Sequence, residues 1–469
     1  METVLKPNRV AQNVKPIFDK QRKFFFSGKT KSFKFRKEQL KKLKKAIKQN
    51  EEQILKALAT DLGKPRFEAF VTEITFMYEE INHVLASLEK WMQPQTVATP
   101  LVFQPGSSKI TYEPLGTVLI ISPWNYPFQL AMAPLVAALA AGNTAFIKPS
   151  EKTPATALLI EDMLNTTFPE ELVAVVQGDG AETIPPMLEN FRFNNIFFTG
   201  SVAVGKIIAQ EAAKQLTPCV LELGGKSPCI VDKSAKIDVS AKRIVWGKFV
   251  NVGQTCIAPD YILVHESVKD ELVAKLKKHI TAMFGEDMQA SPDLGRIVNE
   301  QRFDILHSYL SQGRILHGGK SDREDRFIEP TLIDNLKLDD SIMEEEVFGP
   351  ILPIITYSSN EEAIDIIRRN PYPLALYLFA NNKKVEKQFF ENISFGGGCL
   401  NSTLLHIGNP DLPFGGVGYS GQGRYHGWYS FECMSHPKSV LTSSNYGELP
   451  LRFAPYNDIK EKIARFYFR

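Results

Sequence analysis

One cysteine of the chain lies in a segment whose composition suits a reactive thiol. The segment reads Asn251-Val-Gly-Gln-Thr-Cys256-Ile-Ala-Pro259, so Cys256 stands between a glycine and a proline. Glycine lets the backbone approach another group closely, and proline ends a preceding helix. The alternative is a buried cysteine that packs as a small apolar side chain, which is common in intracellular proteins. The choice depends on the groups that the fold brings to Cys256.

A second candidate is a carboxylate at the end of an apolar run. Glu222 stands between Leu221 and Leu223 in a segment with the composition of a buried strand. A buried carboxylate is costly unless it is paired or used in chemistry. Burial would raise its pKa toward the range that suits a general base. Glu222 is therefore predicted to be a functional residue.

Two segments predict a nucleotide site. Gly200-Ser-Val-Ala-Val-Gly205-Lys206 follows a predicted strand and opens a predicted helix, where backbone N–H groups can bind a dinucleotide pyrophosphate. It is not a P-loop, because Ile207 replaces the Ser or Thr that binds magnesium, and this argues against a nucleoside triphosphatase. Lys148 and Glu151 follow the second predicted strand and could hydrogen-bond ribose hydroxyls, with a surface salt bridge as the alternative.

The segments that carry these residues alternate between apolar strands and helices from Gly116 onward. Near-continuous apolar strands joined by helices predict a parallel sheet in a doubly wound, Rossmann-like domain, with ligands at the carboxyl ends of the strands. The predicted strands are residues 117–121, 144–147, 172–176, 196–198 and 219–223. The predicted helices are residues 129–141, 154–164, 182–189 and 202–215.

The rest of the chain predicts a second α/β domain, which carries Cys256, and flanking elements. Its strands are expected near residues 230–231, 261–264, 351–355 and 374–379, and its helices at 238–252, 267–284 and 361–369. Amphipathic helices are predicted at residues 36–62 and about 65–92, and the lysine-rich face of the first is interpreted as solvated. A hairpin is predicted from Leu101-Val-Phe and Lys109-Ile-Thr-Tyr, which needs another strand or subunit to pair with; residues 439–443 form a further β-prone run.

Composition limits the classes of function. Lys and Arg total 55 against 53 Asp and Glu, so the net charge of +2 favours neither nucleic acid nor a membrane surface. The 5 cysteines form no CxxC pair, which argues against a disulfide framework or a zinc site and favours a reducing, cytoplasmic location. Residues 123–147 carry no charge, but their prolines and polar side chains favour a buried helix with flanking strands over a membrane span.

Six motifs, in order and at the spacing of one family, make the chain resemble the aldehyde dehydrogenase superfamily. They are Pro123-Trp-Asn-Tyr-Pro127, Lys148-Pro-Ser-Glu151, Phe198-Thr-Gly-Ser201, Leu221-Glu-Leu-Gly-Gly-Lys226, Gly253-Gln-Thr-Cys256 and Glu345-Glu-Val-Phe-Gly-Pro350. Two later segments resemble the class 3 branch: Pro413-Phe-Gly-Gly-Val-Gly-Tyr-Ser-Gly-Gln-Gly-Arg-Tyr-His-Gly427 and Ser430-Phe-Glu-Cys-Met-Ser-His436. A local difference is Trp428, where relatives often have lysine.

The resemblance implies a role for each matching residue. Cys256 would be the nucleophile, Asn125 and the backbone N–H of Cys256 would stabilise the oxyanion, and Glu222 would activate water to hydrolyse a thioester. The implied cofactor is NAD, with NADP possible, and no metal is implied. Its binding residues would be Ser122, Trp124, Lys148, Glu151, Gly200, Ser201, Gly205, Leu223, Glu346 and Phe348. An apolar tunnel for an aliphatic or aromatic aldehyde is predicted from Tyr126, Ile257, Leu404, Leu405 and His406, with core packing as the alternative.

These inferences together predict a soluble NAD(P)-dependent aldehyde dehydrogenase that forms carboxylic acids and assembles as a homodimer. The expected division is an NAD(P)-binding domain at residues 1–96 and 114–222, a catalytic domain at 223–432, and a β oligomerisation element at 97–113 with 433–469. One alternative is a CoA-acylating dehydrogenase, which the water-activating Glu222 argues against. The other is a non-catalytic nucleotide-binding protein on the same fold, which the joint presence of Cys256, Asn125 and Glu222 argues against.

Overall fold

The computed structural model describes residues 7–447 and 450–467, and its first sheet is the Rossmann-like sheet expected from the sequence. Five parallel strands carry a short antiparallel strand at one edge. In spatial order the strands are Gly421–Gln422, Cys219–Glu222, Asn195–Thr199, Thr117–Ile121, Thr144–Lys148 and Val173–Val175. The chain order reverses between Thr117–Ile121 and Asn195–Thr199, which is where such a sheet binds its ligand.

Helices cover both faces of this sheet, and the most apolar of them is entirely buried. All residues of Gln129–Ala141 are buried, which explains the uncharged stretch in the sequence. None of the helices in the described ranges is long and apolar enough to cross a bilayer. The helices of this half of the molecule are Pro7–Phe26, Phe33–Gln49, Glu51–Leu62, Arg66–Ala69, Phe76–Trp91, Gln129–Ala141, Pro154–Thr167, Gly180–Asn190, Val202–Ala213 and Gly427–Cys433.

A second sheet forms the centre of the other α/β unit. Six neighbouring strands are parallel, and Arg314–His317 is antiparallel at one edge. In spatial order the strands are Arg314–His317, Thr331–Asp334, Ile351–Tyr357, Tyr261–His265, Pro228–Val231, Ala375–Phe379 and Gly397–Leu400. Its helices are Ile237–Phe249, Lys269–Phe284, Glu300–Tyr309, Ser341–Glu344, Asn360–Arg368 and Lys383–Asn392.

A third, three-stranded sheet corrects the predicted hairpin. Leu101–Phe103 is a 3-10 helix, so its assignment to a strand is wrong, whereas the second predicted strand lies within Gly106–Pro114. Gly106–Pro114 pairs with Gln95–Val97 on one side and with Ser435–Ser443 on the other. Residues 98–105 connect Gln95–Val97 to Gly106–Pro114 and belong to neither strand. The pairing with Ser435–Ser443 is long-range, and no local sequence pattern specifies it.

The helical predictions near the N-terminus also need correction. The predicted helix 36–62 is two helices, Phe33–Gln49 and Glu51–Leu62, which meet at Asn50. The second predicted helix contains a π-helical turn, Phe70–Thr75, before Phe76–Trp91. Helix Pro7–Phe26 precedes both and was not predicted. Its buried side chains Val10, Val14 and Phe18 recur every four residues, so the periodic signal was present in the sequence.

Candidate active site

Cys256, Asn125 and Glu222 converge on one cleft, although they come from distant parts of the chain. The cleft has a volume of about 410 Å³, and all three residues line it. Its other walls come from both α/β units, and they include Trp124, Gly200, Ser201, Leu223, Glu346 and Phe348. The cleft therefore joins the predicted nucleophile to six of the predicted cofactor-binding residues.

A second cavity meets the cleft at the cysteine. This tunnel has a volume of about 260 Å³, and it shares Thr199, Glu222, Leu223 and Cys256 with the cleft. The rest of its lining is mostly apolar or aromatic and includes Val71, Phe76, Leu130, Trp246, Phe414 and Tyr425. Cys256 thus lies where the polar cleft and the apolar tunnel join.

The loop that carries Cys256 has an unusual backbone. Asn251 and Val252 have φ angles of 51° and 57°, and Gly253 follows with 73°. A Cβ atom on Gly253 would lie 2.3 Å from the carbonyl oxygen of Gly349, so only glycine fits there. Buried Gln254 holds the turn, because its side chain donates to the Arg296 carbonyl at 3.0 Å and accepts from the Val298 N–H at 3.0 Å.

Asn125 is fixed directly against this loop. Its side-chain Nδ2 donates to the Gln254 carbonyl oxygen at 3.1 Å. Its own carbonyl oxygen accepts from Asn251 Nδ2 at 2.8 Å and from Lys64 Nζ at 3.2 Å. The residue is buried, yet it lines the cleft. Contacts between the two α/β units therefore hold the side-chain amide of Asn125 against Gln254, two positions before Cys256 in the chain.

Glu222 ends the strand Cys219–Glu222 and is 3% exposed. Neither carboxyl oxygen has a hydrogen-bond partner among the described residues. Burial without compensation raises the pKa of this carboxyl well above its ordinary value. A carboxyl group that is buried, unpaired and open to both cavities can exchange a proton with a molecule bound there.

The thiol of Cys256 has a related environment. Burial raises its pKa above the ordinary value, and the carboxylates of Glu346 and Glu222 act in the same direction. The backbone N–H groups of Cys256 and Ile257 oppose this rise in pKa. The loop after the cysteine is also held, because Tyr377 donates its hydroxyl to the Ile257 carbonyl at 2.6 Å. The thiol thus needs a nearby base or a bound charge to ionise at neutral pH.

One wall of the cleft is built to accept an anion. Ser201 caps helix Val202–Ala213 by accepting from the Val204 N–H, so the positive end of this helix faces the cleft. Gly200 and Gly205 permit close packing. A Cβ atom on Gly200 would lie 2.5 Å from the Phe198 side chain, and one on Gly205 would lie 2.5 Å from the Leu223 side chain. Gly205 itself lies behind Leu223 and does not line the cleft.

Other predicted cofactor residues lie around the same sheet edge. Lys148 is buried and hydrogen-bonds Glu151, and both lie beside Gly180 rather than in the 410 Å³ cleft. Ser122 also lies outside that cleft, and its buried hydroxyl has no hydrogen-bond partner in the described part of the chain. A hydroxyl in this state suits a ligand that brings its own hydrogen-bonding groups.

The second α/β unit contributes Glu346 and Phe348 to the cleft. The Phe348 ring lies 5.3 Å from the Trp124 ring in an edge-to-face arrangement that links the two units. Burial raises the pKa of Glu346 to about 8, and the carboxylate of Asp260 adds to this effect. The carboxyl of Glu346 packs on Gly224, where a Cβ atom would lie 2.0 Å from Oε2.

Four of the five predicted tunnel residues line the tunnel: Tyr126, Ile257, Leu404 and Leu405. His406 does not. It packs against Phe414, and its Nδ1 atom lies 3.6 Å from the Cys399 sulfur. Burial lowers the pKa of His406 to about 4, so it is a neutral core residue. The backbone explains the difference, since the 3-10 helix Leu405–Gly408 turns successive side chains to different sides.

Sequence reasoning missed the residues that hold the site from behind, chiefly Lys64, Glu73 and Asn251. Asn251 was part of the segment singled out around Cys256, but its contact with Asn125 spans 126 positions. Lys64 lies in the short connection between two helices and Glu73 in the π-helical turn, and no sequence motif relates either residue to Asn125. Only the tertiary fold brings them together.

Comparison with known proteins identifies the family of the chain. The model of the aldehyde dehydrogenase family matches residues 6–440. A 4,4'-diaponeurosporen-aldehyde dehydrogenase of Staphylococcus aureus is 50% identical over 446 residues, which cover 95% of this chain and 97% of that protein. A dimeric NADP-preferring aldehyde dehydrogenase of Rattus norvegicus is 44% identical over 427 residues, which cover 91% of this chain and 94% of that protein.

A solved structure extends the likeness to three dimensions. The substrate-bound state of Staphylococcus aureus AldH superimposes with a TM-score of 0.95 at 49% sequence identity, and the match covers 97% of this chain and 99% of that chain. The match therefore includes both α/β units and the loops that form the cleft. The chain belongs to the aldehyde dehydrogenase family and is an NAD(P)-dependent aldehyde dehydrogenase.

Proposed function

We propose that Cys256, Asn125 and Glu222 carry out the oxidation of an apolar aldehyde to its carboxylic acid. The observation that carries this assignment is the junction of the two cavities, where Cys256 and Glu222 line both the polar cleft and the apolar tunnel. An aldehyde that enters through the tunnel presents its carbonyl carbon to the sulfur, and the cleft opens on the other side. Asn125 lines the cleft within reach of the same loop.

The proposed chemistry uses each residue once. The Cys256 thiolate attacks the carbonyl carbon, and the resulting oxyanion accepts hydrogen bonds from Asn125 Nδ2 and the Cys256 backbone N–H. Loss of hydride from that carbon leaves a thioester on Cys256. Glu222 then takes a proton from a water molecule that attacks the thioester carbon, and the acid leaves as the thiol re-forms. The raised pKa of Glu222 supports a base strong enough for this step.

The residues of the cleft fit a nicotinamide dinucleotide. When bound, this cofactor supplies the hydride acceptor. The helix N-terminus at Gly200 and Ser201 suits its pyrophosphate, and the unpartnered hydroxyl of Ser122 and the Lys148–Glu151 pair suit the adenosine ribose. Glu346 and Phe348 would hold the nicotinamide end, with Trp124 and Leu223 beside it. Gly205 would act indirectly, by letting the helix pack on Leu223.

The tunnel supports an aldehyde with an aliphatic or aromatic body. Besides Glu222 at its inner end, no residue that lines it has an ionisable carboxylate, amine or guanidinium group. Its rim exposes Val71, Trp246 and Leu405, so a chain longer than the tunnel can continue along an apolar surface. The name of the Staphylococcus aureus relative makes 4,4'-diaponeurosporen-aldehyde a substrate to test.

A homodimer is the assembly that we propose. Strand Ser435–Ser443 is the outer strand of the third sheet, and eight of its nine residues are exposed. A long exposed edge strand tends to pair with another chain. The domain boundaries given above and a cytoplasmic location accompany this proposal, the latter supported by 5 free cysteines.

The test is the Cys256→Ser variant. We expect it to bind NAD with the affinity of the wild type and to form no NADH from any aldehyde, as measured by nucleotide fluorescence and absorbance. Substantial turnover would refute the assignment of the nucleophile. Acid formation by the wild type with and without CoA separates hydrolysis from acyl transfer, and a requirement for CoA would favour the acylating alternative.

A further inference from the structure

We propose that the buried ion pair of Lys64 and Glu73 is a positioning device for the oxyanion donor Asn125. The inference rests on the proposed role of Asn125. Both side chains are 0% exposed, and Lys64 Nζ lies 2.5 Å from Glu73 Oε1. Neither residue lines the cleft or the tunnel, so neither touches the substrate or the cofactor space. Any effect on catalysis must pass through other residues.

The Glu73 carboxylate holds the segment that follows Asn125. Its second oxygen, Oε2, accepts from the backbone N–H groups of Phe128 at 2.9 Å and Gln129 at 3.1 Å. These N–H groups lie at the start of helix Gln129–Ala141 and have no partner within that helix. The carboxylate thus anchors residues 128 and 129 by two bonds at the positive end of a buried helix.

The Lys64 ammonium holds the other end of the same segment. It donates to the Asn125 carbonyl oxygen at 3.2 Å and lies 4.1 Å from the centre of the Tyr126 ring. Asn251 Nδ2 donates to the same carbonyl oxygen at 2.8 Å. Two donors on one carbonyl fix the plane of the peptide after Asn125, and the side chain of Asn125 then points to the Cys256 loop, where it donates to Gln254.

The local backbone explains how Glu73 reaches this place. It lies in the π-helical turn Phe70–Thr75, within an otherwise α-helical stretch. A π turn shifts the following side chains around the helix axis and is common at functional sites. Here it turns a charged residue fully inward, toward Asn125.

Stability alone does not account for a buried pair of this kind. Apolar residues of similar volume usually stabilise a core as well as a buried ion pair does. What an ammonium and a carboxylate add is directional bonding: together they contact Asn125, Phe128 and Gln129 at defined distances. Apolar side chains could fill the space, but they would leave the orientation of Asn125 less restricted.

The experiment is a double-mutant cycle between the pair and Asn125. Lys64→Met with Glu73→Gln removes both charges of the pair and keeps the volume, so neither partner is left as a lone charge. We expect kcat to fall by about 10- to 100-fold, because small displacements of a catalytic group have effects of this size, while the KM for NAD stays within about twofold. In an Asn125→Ala background the same two substitutions should have no further effect on kcat, since there is no donor left to position.

A matched control is the Lys226–Asp260 pair, which is similarly buried and has a 2.7 Å contact, but has no bond to Asn125. Lys226→Met with Asp260→Asn should lower kcat by the same factor with and without Asn125→Ala. If the Lys64 and Glu73 substitutions also lower kcat by the same factor with and without Asn125→Ala, the positioning role is wrong while the proposed function stands. If Asn125→Ala itself retains full kcat, the oxyanion assignment fails and this inference fails with it.

A second variant keeps the test decisive if the paired variant does not fold. Lys64→Met alone keeps the Glu73 side chain, which accepts from the Phe128 and Gln129 N–H groups. It removes the bond to the Asn125 carbonyl oxygen, together with the contacts of Lys64 with Glu73 and with the Tyr126 ring. A kcat that is unchanged in this folded variant would overturn the proposal, and a fall that disappears in the Asn125→Ala background would support it.

Discussion

Replacing Glu222 by Gln should stop the enzyme after its first turnover. The amide has the shape of the carboxyl but cannot accept a proton from water. Neither oxygen of Glu222 has a hydrogen-bond partner among the described residues, so the substitution breaks no bond within this part of the chain. The steps before thioester hydrolysis need the Cys256 thiolate and the donors around it. The substitution should therefore separate acylation from hydrolysis.

The size of the effect follows from the role of the group. A general base that acts on water contributes about 10²–10⁴ to the rate of its step. Steady-state formation of acid should fall by that factor, whereas the first hydride transfer should stay within a few-fold of the wild-type rate. A thioester would then accumulate on Cys256, and NADH would appear in a burst of about one per active site.

Rapid mixing with absorbance detection of NADH measures both phases, and intact mass spectrometry of the quenched protein detects the thioester. Glu346→Gln is the matched control, because Glu346 is also a carboxyl that lines the cleft, half-buried and with its pKa raised to about 8. That variant should alter cofactor placement and slow the first turnover without a burst. A Glu222→Gln variant with steady-state turnover within threefold of the wild type would refute the assignment of the base.

Three more results should follow from the same site. Glu222→Gln should also raise the melting temperature relative to the wild type at alkaline pH but not near pH 4. Burial raises the pKa of Glu222 in the folded state, so the contribution of this carboxyl to stability is present below its unfolded pKa of about 4.3. That contribution is lost as the pH rises toward the folded pKa, by up to about 1.4 kcal/mol per pH unit. A constant difference in melting temperature from pH 4 to 9 would contradict this. The pKa of the Cys256 thiol is raised as well, so kcat/KM of the wild type should still increase above pH 8.5. A kcat/KM that is constant from pH 6 upward would show that a bound charge ionises the thiol. Leu405→Asp, at a rim position 62% exposed, should raise the KM for decanal at least tenfold and that for acetaldehyde less than twofold, with equal shifts arguing against an apolar entrance.

The elements that surround the cofactor cleft were predictable because their signals are local. Strand Thr117–Ile121 and helix Gln129–Ala141 match their predicted bounds, since each is an uninterrupted apolar run and glycines stand at Gly116 and Gly142. The α/β class and the Rossmann-like sheet followed from the same alternation. These features require only that buried parallel strands be apolar along their whole length.

The third sheet and the back of the site were not predictable in the same way. Gly106–Pro114 pairs with a strand more than three hundred positions later, and a β-prone tripeptide such as Leu101-Val-Phe says nothing about whether a partner exists. The placement of His406 depends on a single turn of 3-10 helix, which decides whether a side chain enters the tunnel or the core. Such outcomes are set by tertiary contacts rather than by composition or period.

The backbone before Cys256 shows how this non-local control reaches the reactive atom. A β-branched residue with a left-handed backbone, such as Val252, costs on the order of 1–3 kcal/mol. Two bonds from the half of the molecule with the first sheet help to keep this conformation: Asn251 donates its N–H to Glu68 at 3.0 Å and its side-chain Nδ2 to the Asn125 carbonyl oxygen at 2.8 Å. The proposed nucleophile therefore belongs to one α/β unit, while its loop is held both by Gln254 within that unit and by contacts with the other unit. Separating the two units would remove the bonds of Asn251 to Glu68 and to Asn125 together, so the conformation of the turn before Cys256 depends on the contact between the units.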